Sequence, residues 1–163
     1  AHHPTEIRAA LRRFREKFPH SPLVCVFQPH QAERLKILFK EFQSAFDDAD
    51  ITLILPIYRV AGRDRSSHLP PTTYNLKPSY DSEALVRAIQ KRHPKKLIFY
   101  LKDPKKLKKA LATLLYSLKP KNYNLNPTIV MMGAGDIVRY TQSLIDHKST
   151  CSNPREFEKV GIL

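Results

Sequence analysis

The sequence predicts an α/β domain with a Rossmann-like, doubly wound, mostly parallel sheet flanked by helices. Three observations carry this reading. Four short apolar runs have strand length, helical periodicity fills the stretches between them, and the first and last runs end in unusual turns, Gln28-Pro29-His30 and Gly133-Ala134-Gly135-Asp136. Strands alternating with helices of roughly 10 to 16 residues form right-handed crossovers and therefore run parallel. In such sheets ligands bind beyond the carboxyl ends of the strands, so these two turns are where a site is expected.

The first element is a helix from about Pro4 to Phe18, with Pro4 suited to a first turn and Ile7, Leu11, Phe14 and Phe18 at helical spacing. Pro19 stops it. Pro22 to Phe27 is a continuous apolar run, the pattern of a strand buried on both faces. A helix starting near Pro29 then carries Leu35, Leu38, Phe39, Phe42 and Phe46 on one face, and Ile51 to Ile57 is the second strand. Tyr58 to Tyr80 lacks periodicity and is rich in Pro, Ser, Thr and Arg, which predicts a long loop. Asp81 or Ser82 caps a helix ending near Arg92, Leu97 to Leu101 is the third strand, and Asp103 caps a helix to Leu118. Lys119 to Asn126 turns back into a fourth strand, Thr128 to Met132, and a last helix ends near Asp146.

With 163 residues and 42% hydrophobic content the chain suits one domain. It is expected to occupy residues 1–147, followed by a partly ordered tail over 148–163. The longest apolar runs fall far short of the roughly 18 residues that cross a bilayer, and Ala1-His2-His3-Pro4 resembles no signal peptide. A cytoplasmic protein with no membrane partner is expected, and its start reads as a cut site. Cys25 and Cys151 form neither a disulfide framework nor a metal-ligand spacing and are read as free thiols.

A net charge of +13 invites a nucleic-acid reading. Its distribution argues otherwise. Arg12, Arg13, Arg15 and Lys17, or Lys105, Lys106, Lys108 and Lys109, read as solvated helix faces, and aromatics do not interleave with them. A stand-alone basic module binding RNA or another polyanion is nevertheless the alternative function.

Only four glycines are present, so the phosphate-binding pattern G-x-x-x-x-G-K-[ST] is absent. Gly133 and Gly135 suit either an anion cradle of backbone N–H groups or a tight turn. His2 and His3 lack a third ligand nearby, and no metal site is expected. If the second helix begins near Pro29, His30 and Arg34 lie four residues apart on its first turn, where a carboxylate is favoured and Arg34 offers a bidentate fork. A plain surface pair is the competing explanation.

Four fragments in order, His2-His3-Pro4-Thr5-Glu6-Ile7, Phe27-Gln28-Pro29-His30 with Arg34, Phe46 to Asp50 with Ile57-Tyr58, and Met132-Gly133-Ala134-Gly135-Asp136-Ile137, resemble the C-terminal domain of the Mur ligases. The resemblance covers about residues 1–146. It implies a peptidoglycan-precursor ligase that joins L-alanine to UDP-N-acetylmuramate through an acyl phosphate. ATP, Mg2+ and the UDP-sugar would be held through other domains, with no cofactor bound to this domain alone. The isolated domain would be inactive.

The resemblance also implies roles. Arg34 matches the arginine that binds the incoming carboxylate, and His30 matches a histidine near the attacking amine, with Gln31 beside it where the family usually has arginine. His2 and His3 match a hinge motif whose nucleotide-contacting aspartate would precede Ala1. Gly133, Gly135 and Asp136 form the turn near the site. Arg63 replaces a family glutamate, and 63–80 reads as an insertion.

Overall fold

A computed structural model describes residues 1–58, 80–117, 127–150 and 161–162. The four apolar runs become strands β1 (Leu23–Gln28), β2 (Ile51–Ile54), β3 (Leu97–Tyr100) and β4 (Thr128–Gly133), joined by a two-residue β5 (Gly161–Ile162). All pairings are parallel and the order is β3-β2-β1-β4-β5. β1 is central and buried at every position, which is why its sequence is apolar without alternation. The chain steps outward from β1 through β2 to β3 and returns on the other side of β1 as β4. Strand order therefore reverses between β1 and β4.

Helices cover both faces. On one, α1 (Pro4–Lys17), α2 (Ala32–Ile37), α3 (Phe39–Phe42) and α4 (Ser82–Arg92) supply Ile7, Leu11, Leu35, Phe42, Leu85 and Ile89 to a core with Leu23, Cys25 and Phe27. Phe27 stands at its centre, with ring centroids 5.5 Å from Phe42 and 5.3 Å from Phe46. Such tilted pairs each contribute about 1 kcal/mol beyond the area they bury. On the other face, α5 (Leu107–Ser117) and α6 (Ile137–Thr150) pack Leu107, Leu111, Ile137 and Leu144 against Val24 and Val26. Alternate residues of β1 thus serve opposite cores.

The caps are explicit. Asp81 accepts the Ala84 N–H at 2.7 Å and starts α4, while Asp103 caps a 3-10 turn, Pro104–Lys106, that leads into α5. At α1, His3 takes the place usually held by Ser or Thr. Its Nδ1 accepts the Thr5 N–H at 3.3 Å, and Glu6 reaches back to the N–H groups of His2 and His3. These backbone donors hold the Glu6 carboxyl below the usual carboxylate range.

Three expectations need correction. The helix expected from Pro29 begins at Ala32 and breaks at Leu38 into α2 and α3, and Phe46 enters the core from successive turns instead. β2 ends at Ile54, not Ile57, because after the Leu55 N–H has donated to Phe27, Pro56 offers no N–H to continue the ladder. Arg15 is no solvated surface charge. It donates to the carbonyls of Ser21 and Asp48 and pairs with Asp50 at 2.6 Å. Arg63 and most of the predicted 63–80 insertion, the turn at 119–126 and Cys151 lie outside the described residues.

Cys25 is a free, fully buried thiol, and burial pushes its pKa up to about 12. Lys96 donates to the Asp47 carbonyl at 3.0 Å, and burial lowers its pKa against the pull of Asp47, Asp48 and Asp50.

Candidate functional site

The order reversal between β1 and β4 places Gln28 level with Gly133, so the two turns singled out by the sequence emerge side by side at the carboxyl ends of adjacent strands. A third segment joins them. After Pro29 and Pro56 interrupt the β1–β2 ladder, parallel pairing resumes as a bridge between His30 and Tyr58. The Tyr58 N–H donates to the Pro29 carbonyl at 2.8 Å, and the Gln31 N–H donates to the Tyr58 carbonyl at 3.4 Å. From Phe27 to His30 is three residues, whereas from Ile54 to Tyr58 is four. The extra residue makes this a bulged continuation of the sheet, a device that re-aims side chains beside sites.

His30 therefore precedes the helix instead of sitting on its first turn. Its ring lies near-parallel to that of Tyr58, with centroids 5.8 Å apart and planes at 17°. Gln31 follows with φ 65° and ψ 118°, a backbone state that a side chain disfavours, and caps α2 without a side-chain hydrogen bond. Arg34 lies within α2, half-buried, and among the described residues its guanidinium has no carboxylate within ion-pair distance. His30 and Arg34 thus flank a strained turn from strand into helix. Sharing a helical face is not what relates them.

The glycine turn is filled by protein. Gly133 has φ +140°, and a Cβ there would lie 2.5 Å from the Gln28 carbonyl oxygen. Gly135 has φ +79°, and a Cβ there would lie 2.5 Å from the Tyr58 ring. Close packing against Gln28 and Tyr58 accounts for both glycines, which favours the tight turn over an open anion cradle. Among the described residues no three His, Cys, Asp or Glu side chains gather to hold a metal ion. Asp136 is engaged locally. Its carbonyl accepts the Tyr140 N–H and its carboxylate lies 3.9 Å from Arg139.

Two residues beside the turn carry no expected role in the sequence reading. Gln28 is 3% exposed; its Nε2 donates to the Pro56 carbonyl at 3.5 Å, and its Oε1 is buried without a partner among the described residues. Tyr58 contacts both turns. In the sequence it belongs to the Ile57-Tyr58 fragment of the resemblance, which assigns it no role. Of the two residues expected at a hinge, His3 caps α1 and the His2 imidazole lies 3.7 Å from Glu6. No helix among the described residues is long and apolar enough to cross a membrane.

No family model matches the chain. Curated relatives do. The UDP-N-acetylmuramate–L-alanine ligase of Desulforapulum autotrophicum is 32% identical over 145 residues, which is 89% of this chain and 27% of the relative. The enzyme of the same name from Lactobacillus helveticus is 36% identical over 140 residues, 86% of this chain and 25% of the relative. The chain is a relative of the Mur ligase C-terminal domain. It spans about a quarter of the length of the curated Mur ligases it matches.

Solved Mur ligase structures share the fold. The UDP-N-acetylmuramate-alanine ligase of Thermotoga maritima matches with a TM-score of 0.56 at 20% identity, covering 92% of this chain and 25% of that one. A domain assigned to a UDP-N-acetylmuramate:L-alanyl-γ-D-glutamyl-diaminopimelate ligase of Haemophilus ducreyi matches with a TM-score of 0.51 at 18% identity, covering 90% of this chain and 85% of that domain. Mur ligase relatives favour a ligase domain over a polyanion-binding module.

Proposed function

We propose that the chain is the amino-acid-binding domain of an ATP-dependent peptidoglycan-precursor ligase that joins L-alanine to UDP-N-acetylmuramate. The observation that carries this reading is the match of nearly nine-tenths of the chain to enzymes of that one name. The meeting of the Gln28-Pro29-His30 and Gly133-Ala134-Gly135-Asp136 turns at the order reversal supports it, because that is where a sheet of this kind takes a ligand.

Arg34 binds the carboxylate of L-alanine, a role suited to a planar, permanently charged fork that lacks a carboxylate partner among the described residues. His30, held at the strand end by Tyr58, lies by the attacking amine and the tetrahedral intermediate that forms from the acyl phosphate. Gln31 removes one positive charge that the Mur pattern supplies. ATP, Mg2+ and the UDP-sugar are held by other domains of a cytoplasmic enzyme, a reading supported by the lack of a G-x-x-x-x-G-K-[ST] pattern in this chain. His2 and His3 lie at the hinge. The isolated chain is inactive.

The test is phosphate release by the complete ligase supplied with ATP, Mg2+ and UDP-N-acetylmuramate. Release should depend on L-alanine and be absent when only the 163-residue chain is supplied. Alanine-independent release, or sub-micromolar salt-sensitive binding of oligonucleotides by the chain, would overturn the reading.

A further inference from the structure

Tyr58 touches both turns of the site by different parts of itself. Its backbone bonds to Pro29 and Gln31, on either side of His30. Its ring stacks on the His30 imidazole and occupies the space that a side chain at Gly135 would need. An aromatic ring packed against both a glycine backbone and an imidazole restricts where that imidazole can lie.

We propose that Tyr58 is a positioning residue through which the Gly135 turn sets the orientation of the His30 ring. The inference deepens the ligase reading and rests on it for the importance of His30. Its structural content stands separately: a change at Gly135, on a different strand end from His30, is transmitted to the imidazole through the Tyr58 ring. The phenol hydroxyl has no part in this, so phenylalanine at 58 does the same work.

The test uses the 163-residue chain with 13C-labelled histidine. The ring current of Tyr58 acts on the His30 ring protons beside it, so their signals should be displaced from those of free histidine. Tyr58→Phe should keep that shift and Tyr58→Leu should abolish it. Gly135→Ala, which leaves every residue of the stack in place, should move the His30 signals while the methyl signals of Leu11 and Leu85 stay put. Unmoved His30 signals in Gly135→Ala, or equal signals in Tyr58→Leu and wild type, would overturn the proposal. If Tyr58→Leu unfolds the chain, Gly135→Ala and Tyr58→Phe still decide it. In the complete ligase, Gly135→Ala should lower kcat for L-alanine more than it raises KM, with Tyr58→Phe near wild type. A ligase indifferent to His30→Ala would remove the functional reading while leaving the ring-shift result intact.

Discussion

Arg15 Nη2 and Asp50 Oδ2 lie 2.6 Å apart, and the same carboxylate oxygen accepts the Leu23 N–H at 2.6 Å. One acid thereby ties the last turn of α1 to the first residue of β1. Because Arg15 also satisfies the carbonyls of Ser21 and Asp48, its removal leaves several polar groups short of partners. The pair is partly exposed, which tempers the Coulomb contribution. Arg15→Ala should therefore lower stability by about 1 to 2 kcal/mol, and Arg12→Ala, whose ion pair with Glu16 is exposed on the helix surface, by less than about 0.5 kcal/mol. Urea midpoints at unchanged m-value would show the difference, and equal midpoints would contradict it.

Two of the three positive-φ residues at the site, Gly133 and Gln31, predict opposite outcomes. Gly133→Ala places a Cβ against the Gln28 carbonyl and should destabilise by at least about 2 kcal/mol. Gln31→Gly relieves a positive φ on a residue with a side chain and should raise stability by up to about 1 kcal/mol, net of the added freedom of the unfolded chain. Thermal unfolding of both variants checks this; a less stable Gln31→Gly would show that its side chain makes contacts worth more than the strain.

Cys25 gives a pH dependence. Burial raises its pKa from 9.0 to about 12 in the folded chain, so above pH 9 the unfolded thiol loses its proton while the folded one keeps it. Stability from this group is intact below about pH 9 and falls as pH rises toward 12, with a slope approaching about 1.4 kcal/mol per unit. Urea unfolding at several pH values above 8.5 should show a shallower decline in Cys25→Ala than in wild type. Parallel declines would mean the thiol is not the titrating group.

Arg34→Ala in the complete ligase should reduce kcat/KM for L-alanine by a factor corresponding to roughly 2 to 4 kcal/mol, as for loss of a charge-assisted carboxylate contact. Steady-state kinetics varying L-alanine would read it, and unchanged KM and kcat would remove Arg34 from the site.

The strands were legible because apolar runs such as Leu23 to Phe27 must be buried on both faces, and the unusual turns at two strand ends marked where a site was expected, while the strand order that brings them together was not legible. Nor was the break at Leu38. Leu35, Phe42 and Phe46 reach the core equally well through a helix or through successive tight turns, and periodicity does not distinguish those hydrogen-bond patterns. The setting of His30 was hidden for another reason. Its neighbour Tyr58 and, through it, Gly135 are brought there by strand pairing, which no local spacing encodes. Arg15 was misread likewise, since its partners Asp48 and Asp50 arrive with β2.

The register of β1 with β4 also fixes the order in which the neighbours of the central strand become available along the chain. Leu23 pairs with Thr128, roughly a hundred residues downstream, while its other neighbour, β2, follows closely in the chain. As the polypeptide emerges during synthesis, α1, β1, β2 and β3 have what they need to associate early, with His30 and Arg34 already in hand. The turn with Gly133 and Gly135 arrives only afterwards, so a nascent chain halted before Thr128 lacks the β4 partner of its central strand.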